Sequence, residues 1–156
     1  NSLVADVKED LKDELLNKNA SVDTGEDLEV KIIPFQFRQL LYNLISNSLK
    51  FSIEGKAPQI KIKSEIGRAE SFNNKKLEVG KTYCHISVAD NGIGFDPEYS
   101  ERIFEVFQRL HRKTEYAGTG IGLAIVKKIV ENHNGKIAGE SLPGNGATFH
   151  IYIPVT

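Results

Sequence analysis

Tryptophan and methionine are absent from this chain, and Cys84 is the only cysteine. A single cysteine cannot close an intrachain disulfide or build a multi-cysteine zinc site, and it fits a reducing, cytoplasmic setting. The missing methionine extends to position 1, so a piece of a longer chain is expected. No apolar run approaches the roughly 18 residues that would span a bilayer. The opening Asn1-Ser2-Leu3-Val4 is followed, within the first ten residues, by Lys8 and the acids Asp6, Glu9 and Asp10, which does not fit a signal peptide. Neither sign of charge is in excess: 20 Lys and Arg face 21 Asp and Glu, for a formal net charge of −1. A dedicated nucleic-acid binder carries a strong basic excess, so that class is set aside. What the chain does have is 40% hydrophobic residues in a length of 156, which suits one domain, 1–156, with a sizeable core.

The apolar spacing sets an expected order of elements. Val4, Val7, Leu11 and Leu15 recur at steps of three and four, which predicts an amphipathic helix over Ser2 to Lys18. The polar stretch Asn19 to Asp27 ends it, and Leu28 to Ile32 alternates like a short strand. Pro34 suits the first turn of a second helix running to about Phe51, because its missing N–H costs nothing there. Gln59 to Ile66 and Tyr83 to Ala89 read as strands, with Arg68 to Lys81 as a polar hairpin excursion into solvent. Thr119 to His133 is helical in pattern and is stopped by Asn134-Gly135. Lys136 to Ser141 and Ala147 to Ile153 form a last hairpin. Helices on one face of a mostly antiparallel sheet follow from this order.

Two motifs invite a phosphate-binding reading and fail it. Gly80-Lys81-Thr82 resembles the end of a P-loop, but the first glycine of that loop would fall at position 75, which is Lys. Gly118-Thr119-Gly120-Ile121-Gly122 resembles a dinucleotide fingerprint, but its third glycine would fall on Leu123 and no strand leads into it. His85, His111, His133 and His150 are scattered, with no pair at helical spacing for a metal.

Three other features carry chemistry together. Asn43, Asn47 and Lys50 stand at i, i+4 and i+7, within an arc of roughly 60° on one helix. Amide oxygens suit Mg²⁺ and an ammonium suits phosphate oxygens, although alone this reads first as an exposed polar stripe. Asp90-Asn91-Gly92-Ile93-Gly94 directly follows a strand. Its carboxylate can accept from an amino group, and its glycines let a ring approach the backbone; alone it is a common turn. Gly118 to Leu123 is a glycine-rich entry to a helix, where bare amides attract anions.

In this order the motifs resemble those of sensor histidine kinases. Asn43 to Phe51 looks like the asparagine box, Asp90 to Gly94 like the first glycine box, and Ile103 to Phe107 like the phenylalanine box. Gly118 to Leu123 resembles the second glycine box, and Gly144-Asn145-Gly146-Ala147-Thr148-Phe149 the last small glycine motif. The resemblance spans roughly Leu28 to Pro154. It implies an α+β fold, a two-layer sandwich whose mixed, mostly antiparallel sheet carries about three helices on one face, with a mobile ATP lid over about Phe95 to Ala117.

The resemblance also implies residue roles. Asn47 would ligate Mg²⁺, Asn43 would support metal and phosphates, and Lys50 would contact phosphate. Phe51 would lie beside the adenine and Asp90 would accept from its amino group, with Gly92 and Gly94 shaping the pocket. Gly118, Thr119, Gly120, Ile121, Gly122 and Leu123 would frame the phosphates, and Thr148 in the last motif would join the nucleotide site. Phe104 and Phe107 would anchor the lid, and Arg109 would reach the terminal phosphate.

The hydrolysing branch of this superfamily, which includes gyrase, has a glutamate four residues before the Mg²⁺ asparagine. Asn43 stands there in this chain, and an amide cannot act as a general base near neutral pH. Transfer to an outside nucleophile is therefore favoured over hydrolysis. In the family that nucleophile is a histidine, usually followed by an acid, on a dimerising hairpin; none of the four histidines here has an acidic follower. The implied partners are thus a phosphoacceptor histidine domain of the same parent protein and a downstream response regulator, with this domain monomeric and the parent a homodimer. A protein-serine kinase of the same fold and a degenerate nucleotide-binding module stay open as alternatives.

Overall fold

The computed structural model describes residues 2–25, 32–72, 74, 76–94, 122–141 and 144–155. Helices α1 (Ser2–Asp10) and α2 (Lys12–Asn17) lead to strand β1 (Ser21–Thr24), then α3 (Pro34–Lys50). Strands β2 (Gln59–Arg68) and β3 (Thr82–Asp90) follow, then α4 (Gly122–Asn132), β4 (Lys136–Ser141) and β5 (Ala147–Pro154). The five strands form one sheet in the order β1-β2-β3-β5-β4. Only β1 and β2 run parallel; every other pairing is antiparallel. This is the α+β arrangement that the element order predicts.

Strand alternation builds the core. Ile60 and Ile62 of β2, Cys84, Ile86 and Val88 of β3, and Ala147, Phe149, Ile151 and Ile153 of β5 all face one side. Against them pack Leu40, Leu44 and Ile45 of α3, Val126 and Val130 of α4, and Val4 and Val7 of α1. Cys84 is buried in this layer, and desolvation pushes its thiol pKa up, so it behaves as a small hydrophobe.

The first helix is interrupted where the sequence predicts one continuous run. Leu11 leaves helical geometry at φ −104° and ψ 14°, yet its N–H still reaches the Val7 carbonyl, so the apolar stripe is preserved. Asn19 then takes a left-handed conformation, with Ala20 N–H bonding Leu15 O and Asn19 N–H bonding Leu16 O. That paired termination also ends α4, where Asn134 is left-handed and Gly135 N–H bonds Val130 O.

Two expectations need correction. Residues 21–24, read as part of a polar stretch, are strand β1, paired from Ser21↔Gln59 to Thr24↔Ile62. The strand expected over Leu28 to Ile32 falls almost wholly outside the described residues, and Ile32 itself is not in a strand. The excursion after Arg68 is not spread into solvent. A 3₁₀ turn at Ala69–Ser71 opens it, and the chain folds over the outer face of the sheet. There Ala69 and Leu77 are buried with Tyr83 and Tyr152 in a second small core, edged by Phe72.

Beside that core, His85 and His150 stack at 5.1 Å between ring centroids, with 2.9 Å between Nε2 and Nδ1. Burial, then the neighbouring His85, holds the His150 pKa below its ordinary 6.5, with Glu140 opposing. An imidazole depressed in the fold takes up a proton more readily in the unfolded chain. Its contribution is therefore fully present above about pH 6.5 and is lost as pH falls through the lower folded value. The melting temperature should fall on acidification from about pH 7.5 to about pH 5, and His150→Gln should flatten that slope. Equal slopes for the two proteins in thermal melts would contradict it.

Candidate functional site

The polar stripe of α3 is graded along its length. Asn43 and Asn47 are half-buried and Lys50 is exposed at the helix end. The Asn43 Nδ2 is buried and has no hydrogen-bond partner among the described residues. An unpaired buried amide is costly, of order 1–3 kcal/mol, so the position calls for an acceptor that the described residues do not supply. An amide turned over at the same place presents its oxygen instead. The donor set thus fits either a phosphate oxygen or a hard cation.

The C-terminal end of α3 is tied down from two directions. Lys18 donates to the Leu49 carbonyl at 2.5 Å and to Ser52 Oγ at 3.0 Å, while Ser52 Oγ donates to the same carbonyl at 2.9 Å. The Phe51 carbonyl accepts from Ile93 N–H at 2.9 Å, which hangs the loop after β3 on the end of the helix. On its other side the loop is held by the β4–β5 turn: Gly144 N–H reaches Ile93 O at 2.6 Å and Gly146 N–H reaches Gly92 O at 2.9 Å.

Asp90 sits at the junction of these three parts. Strand parity turns it to the helix side, as for Cys84, Ile86 and Val88. Its Oδ1 accepts from Gly92 N–H at 2.9 Å and from Ala147 N–H at 3.2 Å, and its Oδ2 accepts from Ser48 Oγ at 2.8 Å. Gly92 is required by closeness: a Cβ there would lie 2.5 Å from the Phe51 carbonyl oxygen. Asn91 braces the outside, accepting from Gln59 N–H at 2.8 Å and donating to Ala57 O at 3.2 Å. A half-buried carboxylate held on three hydrogen bonds, and joined through Ser48 to a helix that also carries an amide without a partner among the described residues and an exposed lysine, offers groups that suit a ligand with an amino group at one end and anionic oxygens at the other.

The sequence pattern described as "Histidine kinase-, DNA gyrase B-, and HSP90-like ATPase" matches residues 33–156. The chain belongs to this ATPase family. Phytochrome-like protein Cph1 of Synechocystis is 42% identical over 145 residues, covering 93% of this chain but 18% of that protein. The nucleotide-free catalytic domain of histidine kinase ThkA is 29% identical with a TM-score of 0.74, covering 100% of this chain and 94% of that one. ThkA in complex with response regulator protein TrrA is also similar, at 28% identity and a TM-score of 0.70, over 100% of this chain and 40% of that one.

In this member of the histidine kinase-like ATPases, Asn43, Asn47 and Lys50 lie on the C-terminal half of α3, and the Phe51 carbonyl just beyond it holds the loop that carries Asp90, Gly92 and Gly94. Gly94 is left-handed, with φ 69°. Gly122 opens α4, and the half-buried Leu123 side chain packs against the edge of the core. Thr148 is not brought to Asp90. It pairs with Ala89, and strand parity puts both on the outer face, away from the helices; the contact falls instead to the Ala147 N–H. Phe104, Phe107, Arg109, Gly118, Thr119, Gly120 and Ile121, with the expected lid over 95–117, lie outside the described residues. Sequence alone assigned no role to Ser48 or the Phe51 carbonyl, and named Gly146 only as part of the last glycine motif. The signal for Ser48 is a small polar residue beside apolar Leu44, Ile45 and Leu49. The P-loop look-alike has an ordinary role: Gly80 is left-handed in the turn before β3, and Lys81 pairs with Glu78 at 2.9 Å.

Proposed function

We propose that this chain binds Mg-ATP and donates its γ-phosphoryl group to a histidine on a separate domain of a parent sensor kinase, which then serves a response regulator in the cytoplasm. The observation that carries the reading is the Asp90 carboxylate, held between α3, the loop and the β4–β5 turn. It accepts the adenine amino group, while Gly92 keeps the loop close enough for the ring to lie against it. Asn47 would supply an oxygen to the metal, Asn43 would donate its buried N–H to a phosphate oxygen or, turned over, offer its oxygen to the metal, and Lys50 would neutralise phosphate charge. Bound Mg²⁺ supplies neutralisation of charge on the phosphate oxygens. The similarity to ThkA, solved with a response regulator, supports the phosphorelay part of the reading.

No described histidine suits the acceptor role. His133 donates through Nδ1 to Ile129 O at 2.8 Å and accepts at Nε2 from Ile33 N–H at 2.9 Å, so both ring nitrogens are engaged. His85 and His150 bond each other on the outer face, and the fourth, His111, lies outside the described residues. Calorimetric titration should show Mg-ATP binding, and incubation with γ-labelled ATP should leave the isolated chain unlabelled. Acid-labile label in stoichiometric amount on its own histidines would overturn the separate-acceptor part; absence of ATP binding would overturn the whole.

A further inference from the structure

We propose that Ser48 is a positioning residue for base recognition: its hydroxyl orients the Asp90 carboxylate so that one acceptor site on Oδ2 is held out to the six-position amino group of adenine. This rests on the reading of the site as an ATP site. Ser48 is 3% exposed and is the only polar side chain fully buried among the described residues. A serine inside a helix ordinarily turns its hydroxyl back to the carbonyl four residues earlier or out to water. This one instead lies 2.8 Å from Asp90 Oδ2, across 42 positions of sequence. An ionised carboxylate only accepts, so the hydroxyl donates.

The division of labour between the two oxygens follows. Oδ1 takes two main-chain N–H groups, from Gly92 and Ala147, and is full. Oδ2 takes one hydroxyl and keeps one acceptor site among the described residues. The main-chain pair anchors one corner of the carboxylate but leaves it able to turn about that corner. The Ser48 hydroxyl anchors the second corner and removes the rotation. Because Ser48 directly follows Asn47 on α3, the same helical turn ties the base-reading carboxylate to the proposed metal-binding amide.

The test uses ATP and ITP, which carries a carbonyl where ATP carries the amino group, titrated with Mg²⁺ into the chain and three variants. Ser48→Ala should weaken ATP about five- to tenfold and lower the ATP-to-ITP preference by a similar factor. Alanine is a better helix former than serine, so the variant keeps the helix. Ser48→Cys fills nearly the same space but has only a weak donor. It should behave like Ser48→Ala if the hydrogen bond matters; behaviour like the parent would assign Ser48 to packing and overturn the proposal. In an Asp90→Asn background, Ser48→Ala should add less than twofold, since the two act through one contact. A full independent loss there would also overturn it. If Asp90→Asn abolishes the ATP-to-ITP preference while Ser48→Ala leaves it intact, the positioning role alone fails and the ATP site stands. If the parent chain binds no ATP, the underlying reading fails first.

Discussion

Asp90→Asn should weaken Mg-ATP by at least about tenfold and narrow or invert the preference over GTP. The amide can satisfy its surroundings in one orientation only. Two main-chain N–H groups, from Gly92 and Ala147, face Oδ1, so the amide oxygen must stay there; turned over, it would set a donor against two donors. The NH₂ is then forced to the Ser48 side, where the hydroxyl rotates to accept. That places a donor where adenine also presents one. A lost hydrogen bond to a charged group is worth on the order of 1.5–3 kcal/mol, and about 1.4 kcal/mol is a factor of ten. Guanine has a carbonyl at the same position, so its loss should be smaller. Asn47→Asp provides the contrast, disturbing metal and phosphates with the base contact intact. Calorimetry of both variants with both nucleotides decides it: an unchanged ATP-to-GTP ratio in Asp90→Asn would remove Asp90 from base recognition.

Gly146→Ala should be strongly disruptive, more so than the same change at the neighbouring Gly144. Gly146 is left-handed, with φ 78°, and a Cβ there would overlap the Asp90 carbonyl oxygen and crowd Asn91 Cα at 3.1 Å. These are backbone atoms, fixed by the β3–β5 pairing and by the Gly146 N–H to Gly92 O bond, and cannot step aside as a side chain would. Gly144→Ala is the internal control. It is equally left-handed, at φ 80°, but a Cβ there meets nothing within 4 Å. Both variants carry the conformational cost of roughly 1–2 kcal/mol, and only Gly146→Ala adds overpacking of about 1–3 kcal/mol. Denaturant unfolding should therefore show Gly146→Ala the less stable by about 1–3 kcal/mol, with ATP affinity reduced because the turn no longer braces the loop at Asp90. Equal stability of the two variants would mean that the turn shifts freely and does not hold the site.

Much of this was open to reading along the chain because it depends on neighbours in sequence. Pro34 and the apolar spacing from Phe37 to Leu49 define α3, since both the first-turn proline and the buried face are local properties of a helix. The alternation in β2, β3 and β5 was visible for the same reason, each strand burying one face on the helices. Asn43, Asn47 and Lys50 share a stripe by helical geometry alone, and the order of the glycine motifs pointed to the family.

The remainder was decided by partners far away in sequence. Ser21 to Thr24 has one apolar residue and is a strand only because β2 lends it a hydrogen-bonding edge. Leu77 and Phe72, in a polar stretch, find burial only because Tyr83 and Tyr152 are presented by strands on the outer face. Thr148 and Ala147 are adjacent in one motif, and which of them meets Asp90 was settled by the pairing of Ala89 with Thr148, since a shift of one residue exchanges the two faces of a sheet. Ser48 looked like a minor polar residue on a helix until β3 brought a carboxylate to 2.8 Å from it. Residue types and their local spacing fix which groups are available and on which face of a helix or strand each one lies. Which of them meet is settled by the fold, because burial and hydrogen bonding between distant segments depend on the register of the whole sheet against α3.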